Sequence, residues 1–288
     1  MRLRAAVAGA AMLLVVAKSA AAAPALWVVR DTDSTLYIFG TMHALKPGIA
    51  WRSAQINRAF ADSDELILEV VASNDPAKAQ ALARTYGFDP TGSLSSKLDP
   101  SDRERLAAAV EGLGAPPEAL ERMRPWLAAV TLAAAPMIRQ GWLPANGVEA
   151  VLTADAQATK KPISGLETPD QQIRMLADIP ENIQIAALRA VLGGSDEGLG
   201  KLEALAAAWA AGDLSRLERG AADLRTGRDL MVDDATRVQR NQVWAEEIQR
   251  KLAGSGTSFI AVGAGHLLGP DSVQEALASR GVTTERLD

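Results

Sequence analysis

Two apolar segments at opposite ends of the chain end in the same way, in a glycine that is followed by a histidine three residues later. The first is Gly40-Thr-Met-His43 and the second is Gly263-Ala-Gly-His266. Glycine at the end of a strand lets the chain turn sharply and approach a ligand or a neighbouring backbone closely. The pair therefore predicts an α/β sheet in which both histidines lie beyond the carboxyl ends of strands, where open sheets bind ligands.

The composition makes this pair more informative, because the chain has only two histidines and no cysteine. Disulfides, thiolate metal sites and a cysteine nucleophile are excluded, and any imidazole chemistry must use His43 or His266. If their strands are neighbours, both imidazoles can converge on one site, which a carboxylate would complete as a metal site of two histidines and one acid. Two hydrogen-bonded structural histidines are the alternative interpretation.

Two glutamates are candidates for that carboxylate. Glu69 is the better one, because it ends the predicted strand 65–70, although a solvated glutamate on an edge strand is the alternative. Glu167 ends a possible short strand just before a predicted helix, where it could support the site or contact substrate. Arg240 and Asn241 lie in a long polar helix and could hold an anionic group, but the residues alone favour a solvent-facing role for both.

The distribution of strand and helix patterns predicts the architecture. Helical periodicity dominates the middle of the chain, and a long polar helix is predicted for residues 234–252. We expect a mixed central sheet that begins with a β-hairpin, flanked by helices, in one domain over residues 24–288 with a large helical insertion around 75–145 and 170–255. Short β-branched and aromatic runs predict strands at residues 26–29, 35–39, 65–70, 161–165, 258–262 and 282–287.

The first residues resemble a secretory signal peptide. A short basic segment precedes an apolar stretch over residues 5–17, and small residues near Ala22 and Ala23 offer a cleavage site. The stretch is too short for a membrane-spanning helix, although an uncleaved anchor is the alternative. We therefore expect cleavage of residues 1–23 and a periplasmic or secreted protein without stable membrane insertion. The net charge of −5 argues against nucleic acid as a partner.

In this order along the chain, the two Gly-x-x-His motifs and Glu69 resemble the TraB/GumN family, which is grouped with Tiki-type proteases and, more remotely, with erythromycin-esterase-like and ChaN-like proteins. The resemblance implies a divalent-metal hydrolase site in which His43, Glu69 and His266 hold a Mn, Co or Zn ion, with Arg240 as a supporting catalytic residue. A glutamate at position 149 departs from the Gly-Ile-Asp of many relatives, which weakens any role for Glu149. Further positions that match the family pattern are Gly40, Gly263, Glu167, Gln172 and Asn241.

The resemblance and the residues together predict a metal-dependent hydrolase that acts on a peptide or small-molecule substrate, with peptide bonds as the leading expectation. A bound ion would activate water and polarise the scissile carbonyl. Without an ion, one histidine would act as general base, with the other histidine and Arg240 stabilising the oxyanion. A non-catalytic protein that binds a peptide or a haem-iron ligand is the alternative, for which Met42 or Tyr37 could serve haem. A scaffold in envelope-polysaccharide assembly is a third interpretation.

Overall fold

A computed structural model describes residues 23–71, 76–194, 197–228 and 234–287 of the chain. The predicted signal peptide, residues 1–23, lies outside these residues except for Ala23. Across the described ranges, no helix combines the length and the apolar character that crossing a membrane would require.

A six-stranded mixed sheet forms the centre of the described structure, in the order β4-β3-β5-β2-β1-β6. Four adjacent strands, β4, β3, β5 and β2, run parallel to their neighbours, whereas β1 is antiparallel to both β2 and β6. The strands are β1 (Leu26–Arg30), β2 (Ser34–Thr41), β3 (Glu65–Val70), β4 (Ile163–Glu167), β5 (Gly256–Gly263) and β6 (Glu285–Leu287).

The described residues form eleven α-helices, and the predicted fold class is confirmed. Helices α2 to α5 lie between β3 and β4, and α6 to α10 lie between β4 and β5. The predicted long polar helix is α10, with the bounds that the sequence indicated. The helices are α1 (Ala54–Asp62), α2 (Pro76–Gly87), α3 (Pro100–Gly112), α4 (Pro125–Arg139), α5 (Val148–Ala158), α6 (Pro169–Ala177), α7 (Glu181–Leu192), α8 (Glu197–Ala210), α9 (Leu214–Arg228), α10 (Asp234–Leu252) and α11 (Val273–Ala278).

The sheet separates two hydrophobic cores, because successive side chains of a strand point to opposite faces. Phe39 and Phe259 face a core that is completed by α1, α5 and α8, and Ile38 and Ile260 face a core completed by α10 and α11. Helices α3, α4 and α7 enclose a third core of their own. The helices after β3 therefore bury apolar surface partly against each other, while α5 and α10 are fixed on opposite faces of the sheet.

Candidate functional site

The two Gly-x-x-His segments lie side by side. Strands β2 and β5 are parallel neighbours, and their register pairs Thr41 with Gly263. A Cβ atom on Gly40 would lie 3.2 Å from the Cα of Ala264, so glycine permits the close approach of the two segments. The two strands are therefore neighbours, as convergence of the histidines on one site requires, and both histidines follow the carboxyl ends of their strands.

Glu69 lies next to this pair, on the adjacent strand β3, and its carboxylate is buried. Its Oε1 accepts hydrogen bonds from Arg240 Nη2 at 2.5 Å and from Gln172 Nε2 at 3.2 Å, and its Oε2 accepts one from the Gly263 N–H at 3.1 Å. Burial raises the pKa of Glu69, but the positive charges of Arg240 and His43 and the hydrogen bond from Arg240 lower it below its ordinary value. Glu69 therefore stays ionised, with hydrogen-bond donors on both oxygens.

Arg240 points inwards at the strand ends with only 14% of its side chain exposed, and Asn241 is fully buried, so the expectation of a solvent-facing role for both is wrong. Its guanidinium binds both oxygens of Glu167, at 2.7 and 2.9 Å, and stacks over Trp244 at 4.7 Å from the ring centroid. Trp244 Nε1 also donates to Glu167 at 2.9 Å. One face of α10 thus carries polar side chains whose partners come from distant strands.

His266 is buried, and both of its ring nitrogens are used within the protein. Nδ1 lies 2.6 Å from Asn241 Oδ1, which can only accept, so the proton is on Nδ1. Nε2 accepts from Arg240 Nη1 at 3.2 Å. Burial lowers the pKa of His266 and the charge of Arg240 acts in the same direction, against the opposing effect of Glu69, so that the pKa is about 3. His266 is therefore a neutral imidazole that helps to hold Arg240.

His43 has the opposite environment, with 67% of its side chain exposed. Nδ1 lies 2.6 Å from Glu149 Oε1, which also accepts a hydrogen bond from the Thr41 hydroxyl. Nε2 and Glu69 Oε2 both face Gly263, at 3.1 and 3.4 Å from where a Cβ atom on that glycine would lie. Desolvation lowers the pKa of His43, but the hydrogen bond and charge of Glu149 and the charge of Glu69 raise it to about 9.

The predicted three-ligand metal group does not fit this arrangement. The guanidinium of Arg240 binds Glu69 Oε1 and His266 Nε2 together, and its hydrogen bond to His266 occupies the single lone pair that this imidazole would offer to an ion. Of the three predicted ligands, His43 Nε2 and Glu69 Oε2 are the atoms that Arg240 does not contact, and both lie close to Gly263. Throughout the described ranges, no group of three or more histidine and acidic side chains is placed to hold a metal ion.

A cleft with a volume of about 640 Å³ opens beside His43 and Glu69, within the range of ligand sites. One wall is helix α5, which contributes Glu149, Thr153 and Gln157. The other wall comes from Leu68, Glu69, Val70 and Val71 at and just beyond the end of β3, with Ile163 at the start of β4 and Gln172 of α6. The structure thus brings His43, Glu69, His266, Arg240, Glu167, Gln172 and Asn241 together, and it adds Glu149, which the sequence argument had discounted.

Comparison with known proteins finds a relative and a family model that each match most of the chain. A protein of Treponema pallidum (strain Nichols), described as uncharacterised, is 26% identical over 270 residues, which cover 88% of this chain and 80% of the relative. No solved structure matches the chain. A model of the TraB/PrgY/gumN family matches residues 25–286, from β1 into β6. The chain belongs to the TraB/PrgY/gumN family.

Proposed function

We propose that the protein is an exported hydrolase that cleaves peptide bonds in the cleft, with His43 as the residue that transfers protons. The observation behind this proposal is the setting of His43, whose Nδ1 is fixed on a carboxylate while Nε2 faces Glu69 and the open cleft. Export follows from the signal peptide predicted over residues 1–23. A histidine fixed at one nitrogen and free at the other is suited to general acid–base work.

In the proposed reaction, the neutral form of His43, which prevails only above its pKa of about 9, removes a proton from water at Nε2 as the water oxygen attacks the scissile carbonyl carbon, so the rate should rise with pH up to about 9. The carbon–nitrogen bond then breaks, and the Nε2 proton passes to the leaving amine. The nearby carboxylate of Glu69 stabilises the imidazolium that forms between these steps. Arg240 and His266 act behind Glu69, since their polar atoms already bind one another, Glu69, Glu167 and Asn241.

The chemistry of the cleft walls supports a neutral, amide-rich substrate. The side chains of Thr153 and Gln157 face the cleft from successive turns of α5 and have no hydrogen-bond partner among the described residues. None of the described residues that line the cleft is Lys or Arg, whereas a carboxylate-bearing ligand such as haem would call for such partners. Met42 and Tyr37, considered as haem contacts, pack against the hydrophobic core instead.

A divalent ion stays a prediction of the family resemblance, and no step above depends on it. Its strongest support in the structure is electrostatic, because three carboxylates, Glu69, Glu149 and Glu167, surround one arginine and His43. An ion that used His266 would first have to displace the guanidinium of Arg240. Metal analysis of the purified protein, before and after chelation, measures whether an ion is bound.

The first prediction concerns His43. Incubation of the mature protein with a proteome-derived peptide library should yield cleaved products by mass spectrometry, and His43→Gln should lower kcat/KM at least about 10²-fold because the proton-transfer group is lost. Arg58→Gln, an exposed change on α1, is the control and should retain full activity. The assay is run with chelator and with added Mn²⁺, Co²⁺ or Zn²⁺. Absence of cleavage in every condition would contradict hydrolysis and favour a binding protein.

The second prediction concerns the α5 wall. Gln157→Ala should raise KM by about 3–10-fold with kcat nearly unchanged, because it removes a hydrogen bond made equally to substrate and transition state. Thr153→Val should act in the same direction, since it deletes a hydroxyl and preserves the side-chain shape. Steady-state kinetics on one peptide identified from the library measures both. An equal loss in kcat and kcat/KM would place these side chains with the reacting atoms instead.

A further inference from the structure

We propose that Glu149 is the positioning residue of His43: its carboxylate holds the imidazole by Nδ1–H and thereby directs Nε2 to Glu69 and the cleft. This deepens the proposed function, because it explains how an exposed histidine is kept in one orientation. The proposal assigns a role to a residue that its departure from the family pattern had made doubtful. Two sets of contacts around the start of α5, and the position of the proton on His43, support this role.

The first set docks the start of α5 onto the segment that carries His43. The Val148 N–H donates to the Met42 carbonyl at 3.1 Å. Gly147 packs so closely against the same segment that a Cβ atom there would lie 2.2 Å from the carbonyl oxygen of His43. These main-chain contacts leave Glu149 no freedom to approach from elsewhere, so its carboxylate and the ring of His43 belong to one unit.

The second set fixes the carboxylate itself. Glu149 Oε1 accepts from His43 Nδ1 at 2.6 Å and also from the hydroxyl of Thr41. Both donors therefore converge on one oxygen, from a strand end and from the residue just beyond it. Glu149 also lies in the first turn of α5, where unpaired N–H groups favour a negative charge. The carboxylate is held in its ionised form and cannot rotate away without losing both hydrogen bonds.

The contact with Glu149 also determines which nitrogen of His43 carries the proton. A neutral imidazole carries one N–H, and an ionised carboxylate can only accept, so the proton of His43 must lie on Nδ1. Nε2 is then unprotonated on the side of Glu69 and the cleft, where a base must meet water. Without Glu149, the imidazole is free to carry its proton on Nε2 or to rotate. In the first case Nε2 is already protonated, and in the second it is turned away from the water in the cleft.

The small number of histidines makes this tautomer directly measurable. The chain contains two, so ¹⁵N spectra of histidine-labelled protein show two imidazoles, assigned with His43→Gln and His266→Gln. Above its pKa of about 9, near pH 10, His43 of the wild-type protein should show a protonated Nδ1 and an unprotonated Nε2. A wild-type His43 protonated on Nε2 at this pH overturns the proposal without any variant.

The variants test the cause. Glu149→Gln should shift His43 towards the Nε2–H form, Glu149→Asp should partly restore the wild-type spectrum, and Asp155→Asn, another acidic change on α5, should leave it unchanged. Unfolding curves confirm that each variant is folded. A folded Glu149→Gln protein with the wild-type His43 spectrum overturns the proposal. Where cleavage is measurable, Glu149→Gln should lower kcat by about 10²-fold with little change in KM.

The spectra require no substrate, so the two proposals can fail separately. An altered tautomer in Glu149→Gln, together with no cleavage by the wild-type protein, would support the positioning role and contradict the hydrolase. Cleavage by the wild-type protein with an unaltered tautomer in Glu149→Gln would support the hydrolase and contradict the positioning role.

Discussion

Replacement of Arg240 by methionine is expected to lower the free energy of unfolding by about 3–5 kcal/mol, because it leaves two buried carboxylates without their cation. The side chains of Glu69 and Glu167 are only 8% and 11% exposed, and Arg240 contacts both. The same change removes the donor to His266 Nε2 and the stacking partner of Trp244. Methionine preserves much of the apolar stem, so the loss reports the charge and its hydrogen bonds.

Chemical denaturation at neutral pH measures this change, with Arg250→Met as the matched control. Arg250 lies on the same helix, α10, but is 69% exposed, and its ion pair within the described residues is with nearby Glu247, so its replacement should change stability by no more than about 0.5 kcal/mol. Chelator is present throughout. A loss below about 1 kcal/mol for Arg240→Met would contradict the role of Arg240 as the cation that stabilises Glu69 and Glu167.

The contacts of Arg240 could not be predicted from the sequence, whereas the strands and helices could. Strands and helix bounds depend on local patterns, and the Gly-x-x-His motifs are visible because glycine, histidine and strand are adjacent in the chain. Arg240 and Asn241 occupy a helix whose composition is typical of a solvated surface. Their partners, Glu69, Glu167 and His266, come from other segments, and only the packing of α10 over the strand ends brings them into contact.

Glu149 was missed for a related reason. Its contact with His43 joins residues 106 positions apart, and no periodicity relates a helix start to a strand end over that distance. One local signal did exist: a glycine and an acidic residue at the start of a predicted helix, in a segment that the family pattern shares. The shorter Asp of many relatives in this position suggested a departure, whereas what the contact with His43 requires is a carboxylate.

The second large effect concerns pH, and its sign is set by the opposite environments of the two histidines. His266 has its pKa lowered from 6.5 to about 3, so the unfolded chain binds a proton that the folded protein excludes. The contribution of His266 to the free energy of unfolding is therefore fully present above pH 6.5 and is lost as the pH falls towards 3. Between pH 7.5 and 4.5, the wild-type protein should lose about 2–3 kcal/mol through His266 alone.

Denaturation curves at these two pH values, for the wild-type protein and for His266→Gln, isolate this effect, because all other acid-sensitive groups are common to both. The variant should be less stable at pH 7.5 but should lose about 2–3 kcal/mol less on acidification.

His43→Gln provides the control of opposite sign. The pKa of His43 is raised to about 9, so its contribution is complete below pH 6.5 and disappears as the pH rises through 9. Further curves between pH 6.5 and 9 should therefore show a flatter stability profile for His43→Gln than for the wild-type protein, and the profile below pH 6.5 should be unchanged. If His266→Gln kept the full acid loss, His266 would not be held neutral between Asn241 and Arg240, and the division of roles between the two histidines would fall with it.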